Sequence, residues 1–403
     1  MAPTPAALDG LRVLDLSSLY AAPLVSTNLG DFGAEVIKVE HPRGDDARRW
    51  GLSKGGVPLW WRGLARNKQL LTLDLGDEED RGVVRGLAGG ADVLIENFRP
   101  GRMESWGLGY DDLAALNPRL VMVHVTGFGQ DGPRSSQPGF GTLAEAYSGF
   151  AFVTGQPEGP PTLPPFGLAD GVAGLAATFA TMIALYWRDA GGGGVGQEVD
   201  VSLYEPLFSI LGPQIAEYAA LGVLQRRTGN RSPRTAPRNA YRTSDGHWTV
   251  LSAGTQNIAD RIFAAIGHPE IGSDPRFADA ASRRQHADLL DGIIAGWMAS
   301  HTLADVLARF AEVDAPIAPV LGADQIYRDE HYRARQSFVE FADPEIGSIA
   351  MTNVVPRLSR TPGTIRSLGA TETGADSDAV RARLRDGGSG WSGRRPGNED
   401  RSD

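Results

Sequence analysis

The stretch LRVLDLSSLYAAPLVSTNLGDFGAEVIKVE, residues 11–40, decides the fold. Its apolar runs at Leu11–Leu16 and Ala34–Glu40 predict two short buried strands, and Ala21–Phe32 between them predicts a helix. A strand, a helix and a strand within about 30 residues is typical of a parallel βαβ unit. The alternation continues through predicted strands at 70–75, 92–96, 120–126 and 197–202 and predicted helices at 78–88 and 110–116. We therefore expect a large doubly wound, Rossmann-like α/β sheet that binds ligands at the carboxyl ends of its strands.

The rest of the chain predicts a second, smaller domain. Residues 1–210 are expected to form the large α/β domain, and the chain is expected to return to this domain and complete it at about 330–385. Residues 211–240, where arginines cluster with Gly and Pro, predict a linker. From 241 to 318 the pattern is one strand followed by three helices, which predicts a small α+β domain. The last segment, 386–403, is almost empty of apolar residues and predicts a disordered tail.

The charge balance and the cysteine count exclude several classes of function. The 403 residues include 39 basic and 49 acidic side chains, a formal net charge of −10, whereas a nucleic-acid-binding protein needs a basic surface. No cysteine is present, which excludes disulfides, thiolate metal sites and thiol catalysis. The amino terminus lacks a secretory signal pattern, and the longest apolar interval, Val172–Trp187, is shorter than a membrane span. We expect a cytoplasmic protein with no nucleic-acid and no membrane partner.

Common cofactor motifs are missing from the sequence. No G-x-G-x-x-G follows the first strand, and the glycine run 191–194 stands between a helix and a strand, the wrong order for a phosphate cradle. The seven histidines show no H-x-x-x-H or H-E-x-x-H spacing, which argues against a zinc site. No G-x-S-x-G elbow is present either. We therefore expect no metal site and no permanently bound cofactor, and by elimination any chemistry uses a carboxylate.

One carboxylate stands at a conspicuous place. Leu168-Ala169-Asp170-Gly171 lies between a proline-rich approach and a long helical run that begins at Val172. Asp170 is thus expected at or just before a helix amino terminus, where its anionic form is stabilised. Asp is a favoured N-cap residue, so the tetrapeptide alone favours a capping role over a nucleophilic one.

Segments along nearly the whole chain resemble the family III coenzyme A transferases (the CaiB/BaiF family), which include formyl-CoA and carnitine CoA transferases. They are, in order, LDGLRVLDLS at 8–17, LGDFGAEVIKVEHPRGDDAR at 29–48, RNKQLLTLDL at 66–75, ADVLIENFRPG at 91–101, GLGYDDLAALNPRLV at 107–121, GFGQDGP at 127–133, GQEVDVSLYEP at 196–206 and APIAPVLGADQIYRDEHYRAR at 315–335. Any one segment is a weak signal, but all of them in this order are a strong one.

The resemblance implies that Asp170 is a catalytic nucleophile that passes CoA from an acyl-CoA donor to a free carboxylic acid. Coenzyme A is then a substrate and a product rather than a bound cofactor. The family's CoA contacts fall here on Ser18, Leu19 and Ala21 at the nucleotide, Leu73 at the adenine, Asn97 and Phe98 at the pantetheine, and on cations for the phosphates within 41–49 (including His41 and Arg43) and 99–102 (Arg99 and Arg102). Family members resemble two interlocked rings, so a homodimer is expected.

The sequence departs from the family pattern at several positions. Phe140 and Gly141 stand where many members carry a Tyr followed by an acidic residue, and Glu145 stands where they carry a Gln. Tyr20 occupies a position that is often Gln or Arg in relatives, and Ser105 one that is commonly Arg. Two alternatives therefore stay open. The α-methylacyl-CoA racemase branch of the superfamily uses a His-Asp pair where this chain has Phe140-Gly141, and a noncatalytic CoA-binding protein would need no nucleophile at all.

Overall fold

The computed structural model describes residues 6–385 and 388–392, and the described residues divide into two compact units. Unit 1 comprises those of Met1–Phe150, Pro164–Pro213 and Ala334–Asp403. Unit 2 comprises Ala151–Leu163 and Gln214–Arg333.

Unit 1 is built on a six-stranded sheet in which every neighbouring pair of strands is parallel. The strands are β1 (Arg12–Asp15), β2 (Glu35–Glu40), β3 (Lys68–Thr72), β4 (Val93–Glu96), β5 (Val121–Thr126) and β6 (Glu198–Ser202). Their order across the sheet is β3-β2-β1-β4-β5-β6, the order of a doubly wound dinucleotide-binding fold. The predicted α/β class with a large parallel sheet is thus confirmed. Because the strand order reverses between β1 and β4, the loops after these two strands diverge and leave a crevice.

Helices connect the strands of this sheet and continue through the rest of the described chain. They are α1 (Ala21–Asp31), α2 (Leu59–Leu64), α3 (Glu78–Ala88), α4 (Arg102–Ser105), α5 (Tyr110–Leu116), α6 (Gly141–Tyr147), α7 (Phe150–Val153), α8 (Leu168–Ala190), α9 (Glu205–Ile210), α10 (Gln214–Leu221), α11 (Gln256–Ala265), α12 (Ala280–Gln285), α13 (Ala287–Met298), α14 (Leu303–Glu312), α15 (Ala323–Arg328), α16 (Glu330–Ala334) and α17 (Ser377–Arg385). The further strands are β7 (Arg238–Arg242), β8 (Trp248–Ser252), β9 (Ala318–Pro319), β10 (Phe338–Asp343) and β11 (Gly347–Thr352), besides a short antiparallel pair, Ser53–Lys54 and Val57–Pro58, between β2 and β3.

The long helix α8 packs closely against α1 on one face of the sheet. Its inward positions are small, and Ala169, Ala173 and Ala177 are fully buried. At Gly174 a Cβ atom would lie 2.7 Å from the carbonyl oxygen of Ala21, so only glycine permits this approach of the two backbones. The position of α8, and with it that of Asp170, is therefore set by backbone packing on α1.

Helix α8 begins at Leu168, earlier than the run from Val172 predicts, and its N-cap is Gly167. Asp170 consequently lies inside the first turn rather than at or before the amino terminus. The helix is also longer than the apolar interval from which the sequence predicts no membrane span. By length and composition alone α8 could cross a membrane. The core helix of a soluble protein meets the same criterion, so the absence of a membrane span stays a prediction.

Unit 2 has its own sheet and its own core. Strands β9-β8-β7 form an antiparallel sheet, and the core is formed by apolar side chains of the sheet and of α11, α13 and α14, among them Ile262, Phe263, Leu290, Ile294 and Phe310. The sequence assigns 151–163 to the large domain, whereas the structure places these residues in unit 2. The reason is a pair of hydrogen bonds with the predicted linker: the backbone N–H of Gly229 donates to the carbonyl oxygen of Gly155 (2.9 Å), and the guanidinium of Arg227 donates to that of Phe152 (3.2 Å).

The tail predicted at 386–403 lies outside the described residues except for 388–392. Within that short piece the indole of Trp391 is buried, and its Nε1 donates to the carbonyl of Leu87 (3.2 Å). Residues 388–392 are therefore anchored to unit 1 by the Trp391 side chain, which packs into the core on the α3 side of the sheet.

Candidate active site

The loops after β1 and β4 are joined at the crevice where the strand order reverses. The backbone N–H of Ser18 donates to Oδ1 of Asn97 (2.9 Å), and Nδ2 of Asn97 donates to the carbonyl oxygen of Ser18 (2.8 Å). One side-chain amide thus satisfies both backbone groups of a residue on the neighbouring loop. This pair of hydrogen bonds fixes the two loops in register with each other.

Four buried charged side chains support the loop that follows β1. Nζ of Lys38 lies 3.2 Å from Asp45 Oδ2, and Nζ of Lys68 lies 3.3 Å from Asp15 Oδ2. Asp45 in turn accepts a hydrogen bond from the backbone N–H of Leu19 (3.1 Å). Burial raises the pKa of Asp15, but the two lysines outweigh it and hold that pKa below its ordinary value. Burial also lowers the pKa of Lys68 to about 8. Displacing any one of these four side chains would leave a buried charge without its partner, so the network holds the loop in one conformation.

The larger of two cavities at this edge of the sheet has a volume of about 690 Å³. Its lining includes His41, Arg43, Arg102 and Leu73 from the sequence-predicted set. The guanidinium of Arg102 lies 4.2 Å from the ring centroid of Trp106, a cation–π contact that orients it. The cavity therefore combines cationic groups with an apolar wall, as a nucleotide with phosphates requires.

Not all of the basic segment 41–49 is available to this cavity. The guanidinium of Arg48 is held by the Glu40 carboxylate (2.6 Å) and by the carbonyl oxygen of Thr371 (2.7 Å). Arg49 lines the cavity but forms an ion pair with Asp46. Among the arginines of this segment, all of which the structure describes, Arg43 therefore faces the cavity without an acidic partner. Its backbone N–H donates to Nδ1 of His41 (3.1 Å).

The smaller cavity, of about 200 Å³, contains Asp170. Besides Asp170 its lining includes Ser18, Leu19, Tyr20, Ala21, Asn97, Phe98, Arg99, Gln137, Phe140 and Leu203. Ser18 and Phe98 line both cavities. The two spaces therefore adjoin at these residues, and an elongated ligand can lie in the larger cavity with its end at Asp170.

Burial, and then the nearby Glu145, raise the pKa of Asp170 from 3.8 to about 6. Within the described part of the chain its carboxylate forms no hydrogen bond. Oδ2 occupies the space that a side chain at position 141 would fill, because a Cβ atom on Gly141 would lie 2.0 Å from it. Tyr20 lines the same cavity, and burial and the charge of Asp170 raise the pKa of its phenol. Asp170 is thus a partly desolvated carboxylate facing a cavity, without the hydrogen bonds of a helix cap.

The capping role belongs to Glu145, a residue of α6 with an exposed fraction of only 1%. Its Oε1 accepts hydrogen bonds from the backbone N–H groups of Leu168 (3.0 Å) and Ala169 (3.4 Å) at the start of α8. Burial raises the pKa of Glu145, and these two N–H groups oppose that rise.

Each sequence-predicted residue lines at least one of the two cavities, but some line a different one from that expected. Leu19 and Ala21, expected at the nucleotide, line the cavity of Asp170, because the chain turns at Leu19 (φ 70°) directly into α1. Arg99 and Arg102, expected together at the phosphates, are separated by the turn at Gly101 (φ 84°). Arg99 lines the smaller cavity and Arg102 the larger one.

Sequence reasoning misses most of the supporting residues. Lys38 and Lys68 lie inside strands, where a charged residue normally indicates an exposed position, and nothing local signals their burial. Tyr20 and Glu145 stand out in the sequence only as departures from a family pattern. Their side chains meet Asp170 and the start of α8 through tertiary packing, which local periodicity does not reveal.

Comparisons with known proteins bear on the chemistry of this site. The family model of CoA-transferase family III matches residues 8–377. Succinyl-CoA--D-citramalate CoA-transferase of Chloroflexus aurantiacus is 43% identical over 361 residues, 89% of each chain. The beta subunit of succinyl-CoA--L-malate CoA-transferase from the same organism is 40% identical over 367 residues, 90% of each chain. A solved CAIB/BAIF family protein from Brucella suis is similar with a TM-score of 0.83 and 31% identity, over 94% of this chain and 100% of that one. This chain therefore belongs to CoA-transferase family III and is a CoA-transferase.

Proposed function

We propose that the chain transfers CoA from an acyl-CoA donor to a free carboxylic acid through covalent intermediates on Asp170. The observation that carries this proposal is the state of the Asp170 carboxylate. It faces the smaller cavity, its pKa is raised to about 6, and the first two backbone N–H groups of α8 donate to Glu145 rather than to it. A carboxylate of raised pKa is more nucleophilic and is still ionised near neutral pH.

The reaction consists of four acyl exchanges. An oxygen of Asp170 attacks the donor thioester carbonyl, which gives a mixed anhydride and releases the CoA thiolate. The thiolate attacks the aspartyl carbonyl, which forms an aspartyl-CoA thioester and releases the donor carboxylate. The acceptor carboxylate attacks this thioester to form a second anhydride and free thiolate, and the thiolate then attacks the acceptor acyl carbon. The last step gives the new acyl-CoA and regenerates the Asp170 carboxylate, and exclusion of water protects the anhydrides from hydrolysis.

The two cavities supply the binding energy for this chemistry. The nucleotide and phosphates of CoA fit the larger cavity, with Leu73 as its apolar wall and His41, Arg43 and Arg102 as its cations. Phosphate recognition by guanidinium groups supports this placement. The pantetheine would pass Ser18 and Phe98, which line both cavities, so that the sulfur arrives at Asp170.

We further propose that the acids exchanged are dicarboxylic. The two Chloroflexus relatives are named for succinyl-CoA with D-citramalate or L-malate, all of which carry a second carboxylate. Arg99 lines the cavity that holds Asp170, where a guanidinium can bind that distal carboxylate. An Arg99→Gln variant should lose activity with dicarboxylic acceptors while its low activity with monocarboxylic acceptors is unchanged. Equal losses with both kinds of acid would contradict this assignment.

Nothing in the site favours the racemase alternative. Proton exchange at an α-carbon needs an acid and a base of different pKa on the two faces of that carbon. The described residues that line the smaller cavity include no histidine. Phe140-Gly141 stands where the racemase branch carries its His-Asp pair. Incubation of one enantiomer of a 2-methylacyl-CoA in D2O without an acceptor acid should give no deuterium at the α-carbon.

A homodimer is proposed from the outer face of α8. Leu175, Phe179, Ile183 and Tyr186 follow one another at helical spacing and are between 51% and 75% exposed. A contiguous apolar stripe of this kind marks a surface that is covered in the assembled protein. Sedimentation should show a dimer, and a Phe179→Glu, Ile183→Glu variant should dissociate or aggregate. A folded, active monomer would contradict the proposal, as would activity that requires a second, different subunit.

The function itself is tested by isotope exchange between an acyl-CoA and its labelled free acid. Under the covalent mechanism this exchange needs no second acid, because every step up to the aspartyl-CoA thioester is reversible. Asp170→Ala should abolish the exchange and leave the Kd for CoA nearly unchanged, since CoA is bound by the larger cavity. Exchange that survives in Asp170→Ala would refute the proposed role of this residue.

A further inference from the structure

The start of α8 is capped in an unusual way. Its N-cap, Gly167, has no side chain, and the first two backbone N–H groups of the helix donate to the Glu145 carboxylate of α6. The exposed fraction of Glu145 is 1%, so these hydrogen bonds are shielded from water. The cap is therefore supplied from a different helix, 23 residues away in sequence.

In a capping box the acidic side chain at the third helical position accepts a hydrogen bond from the backbone N–H of the N-cap residue. Asp170 holds that third position in α8, and Gly167 is the N-cap. In the described chain the Asp170 carboxylate accepts no such hydrogen bond, and the N–H groups of Leu168 and Ala169 donate to Glu145. It turns instead toward the cavity.

Two glycines make room for this orientation. A Cβ atom on Gly141 would lie 2.0 Å from Oδ2 of Asp170, and one on Gly167 would lie 2.8 Å from the same oxygen. Both distances are far below van der Waals contact. Neither glycine has a positive φ, so the backbone does not require glycine at these positions. What requires it is the space that the carboxylate occupies.

We propose that Glu145 is a positioning residue for the transferase reaction: it caps α8 in place of Asp170, and Gly141 leaves the space in which the freed Asp170 carboxylate meets the substrate. This inference rests on the proposed function, in which Asp170 is the nucleophile. The missing helper carboxylate at position 141 is then no defect, because a side chain there would displace the nucleophile.

The charges around Asp170 follow from the same arrangement. The titratable or charged groups that face it are Glu145 from α6, the phenol of Tyr20 before α1, and Arg99 on the loop after β4. Of these, Glu145 adds to the effect of burial in raising the pKa of Asp170 to about 6. A neutral side chain at position 145 therefore lowers the pKa of Asp170 and moves the acid limb of the rate profile to lower pH.

The first test compares Glu145→Gln with Glu145→Ala. The amide oxygen of Gln can still accept from the N–H groups of α8, so Glu145→Gln should keep kcat near that of the wild type while the acid limb of kcat/KM shifts to lower pH. Glu145→Ala removes the cap and frees Asp170 to replace it, so kcat should fall on the order of ten- to a hundredfold, with an unchanged Kd for CoA. An unshifted acid limb in Glu145→Gln, or an unchanged kcat in Glu145→Ala, would overturn the proposal.

The second test uses Gly141→Ala with Gly296→Ala as the matched control. Position 296 lies in helix α13 of unit 2, and a Cβ atom there meets no other atom within 4 Å. Gly141→Ala should lower kcat at least about tenfold with little change in the Kd for CoA, and Gly296→Ala should leave both unchanged. Equal kcat in the two variants would refute the role of Gly141. If Asp170→Asn itself remained active, the proposed function would fail, whereas silent variants at 141 and 145 with an inactive Asp170→Asn would defeat this inference alone.

Discussion

Replacing Asp170 with Asn should make the protein more stable while it abolishes CoA transfer. The folded state raises the pKa of this carboxylate from 3.8 to about 6 through burial and the nearby Glu145. Ionised Asp170 is therefore a cost to folding above that range, and Asn has no charge to bury. Active sites commonly sacrifice stability in this way.

The size and the pH dependence of the effect follow from linkage. One pKa unit corresponds to about 1.4 kcal/mol, so a rise from 3.8 to about 6 costs about 3 kcal/mol at most, and about 2 kcal/mol after allowance for partial solvent screening. Because the folded pKa is raised, the cost is absent below pH 3.8, grows between pH 3.8 and about 6, and is complete above it. At about pH 5 roughly half of it has developed.

The assay is urea unfolding of the wild type and Asp170→Asn at about pH 8 and about pH 5, with Glu158→Gln as an exposed control. Asp170→Asn should gain stability at the higher pH and about half as much at the lower one, with equal m-values. Glu158→Gln should gain nothing at either pH. If Asp170→Asn were no more stable than the wild type at the higher pH, or gained equal stability at both pH values, the claim that ionised Asp170 destabilises the folded state would be refuted.

Two further predictions concern the support of the site. Lys38→Met leaves Asp15 and Asp45 without their shared cation, so we expect the free energy of unfolding to fall by about 3–5 kcal/mol. Adding Asp45→Asn should restore part of this loss, because it removes a carboxylate that has lost its partner. A loss below about 1 kcal/mol would mean that the network is solvated. His124 is buried between β4 and β6, and although burial lowers its pKa, hydrogen bonding and the charge of Glu96 (2.6 Å) raise it above 6.5 overall. The stabilising effect of His124 is therefore fully present below pH 6.5 and is lost as pH rises through the folded pKa. The wild type should exceed His124→Gln in stability by more at about pH 6 than at about pH 9. A difference in urea midpoints that is the same at both pH values would contradict this prediction.

The parallel sheet could be predicted because its information is local. Apolar runs of strand length separated by helical periods at 11–40 and beyond lead directly to a doubly wound order. The start of α8 could not be predicted in the same way, since its cap comes from Glu145 on another helix. With no capping residue at position 167, local signals place the start of the helix too late.

The candidate nucleophile can be found from the sequence, but the reason that it is free cannot. The tetrapeptide around Asp170 favours a capping role, because Asp in that context usually is a cap, and only the resemblance to a family reverses that preference. Gly141 reads in the sequence as a lost carboxylate. That a side chain at position 141 would collide with the Asp170 carboxylate is known only from its distance to Oδ2 of Asp170.

The most direct test of the covalent mechanism follows an oxygen atom from the acceptor acid. The acceptor carboxylate is labelled with a heavy oxygen isotope and incubated with acyl-CoA and enzyme, and the peptide that contains Asp170 is then weighed. Attack on the aspartyl-CoA thioester followed by thiolate attack on the acceptor acyl carbon leaves one acceptor oxygen on Asp170, so that peptide alone should gain mass. Full turnover without heavy oxygen in the Asp170 peptide would contradict the account.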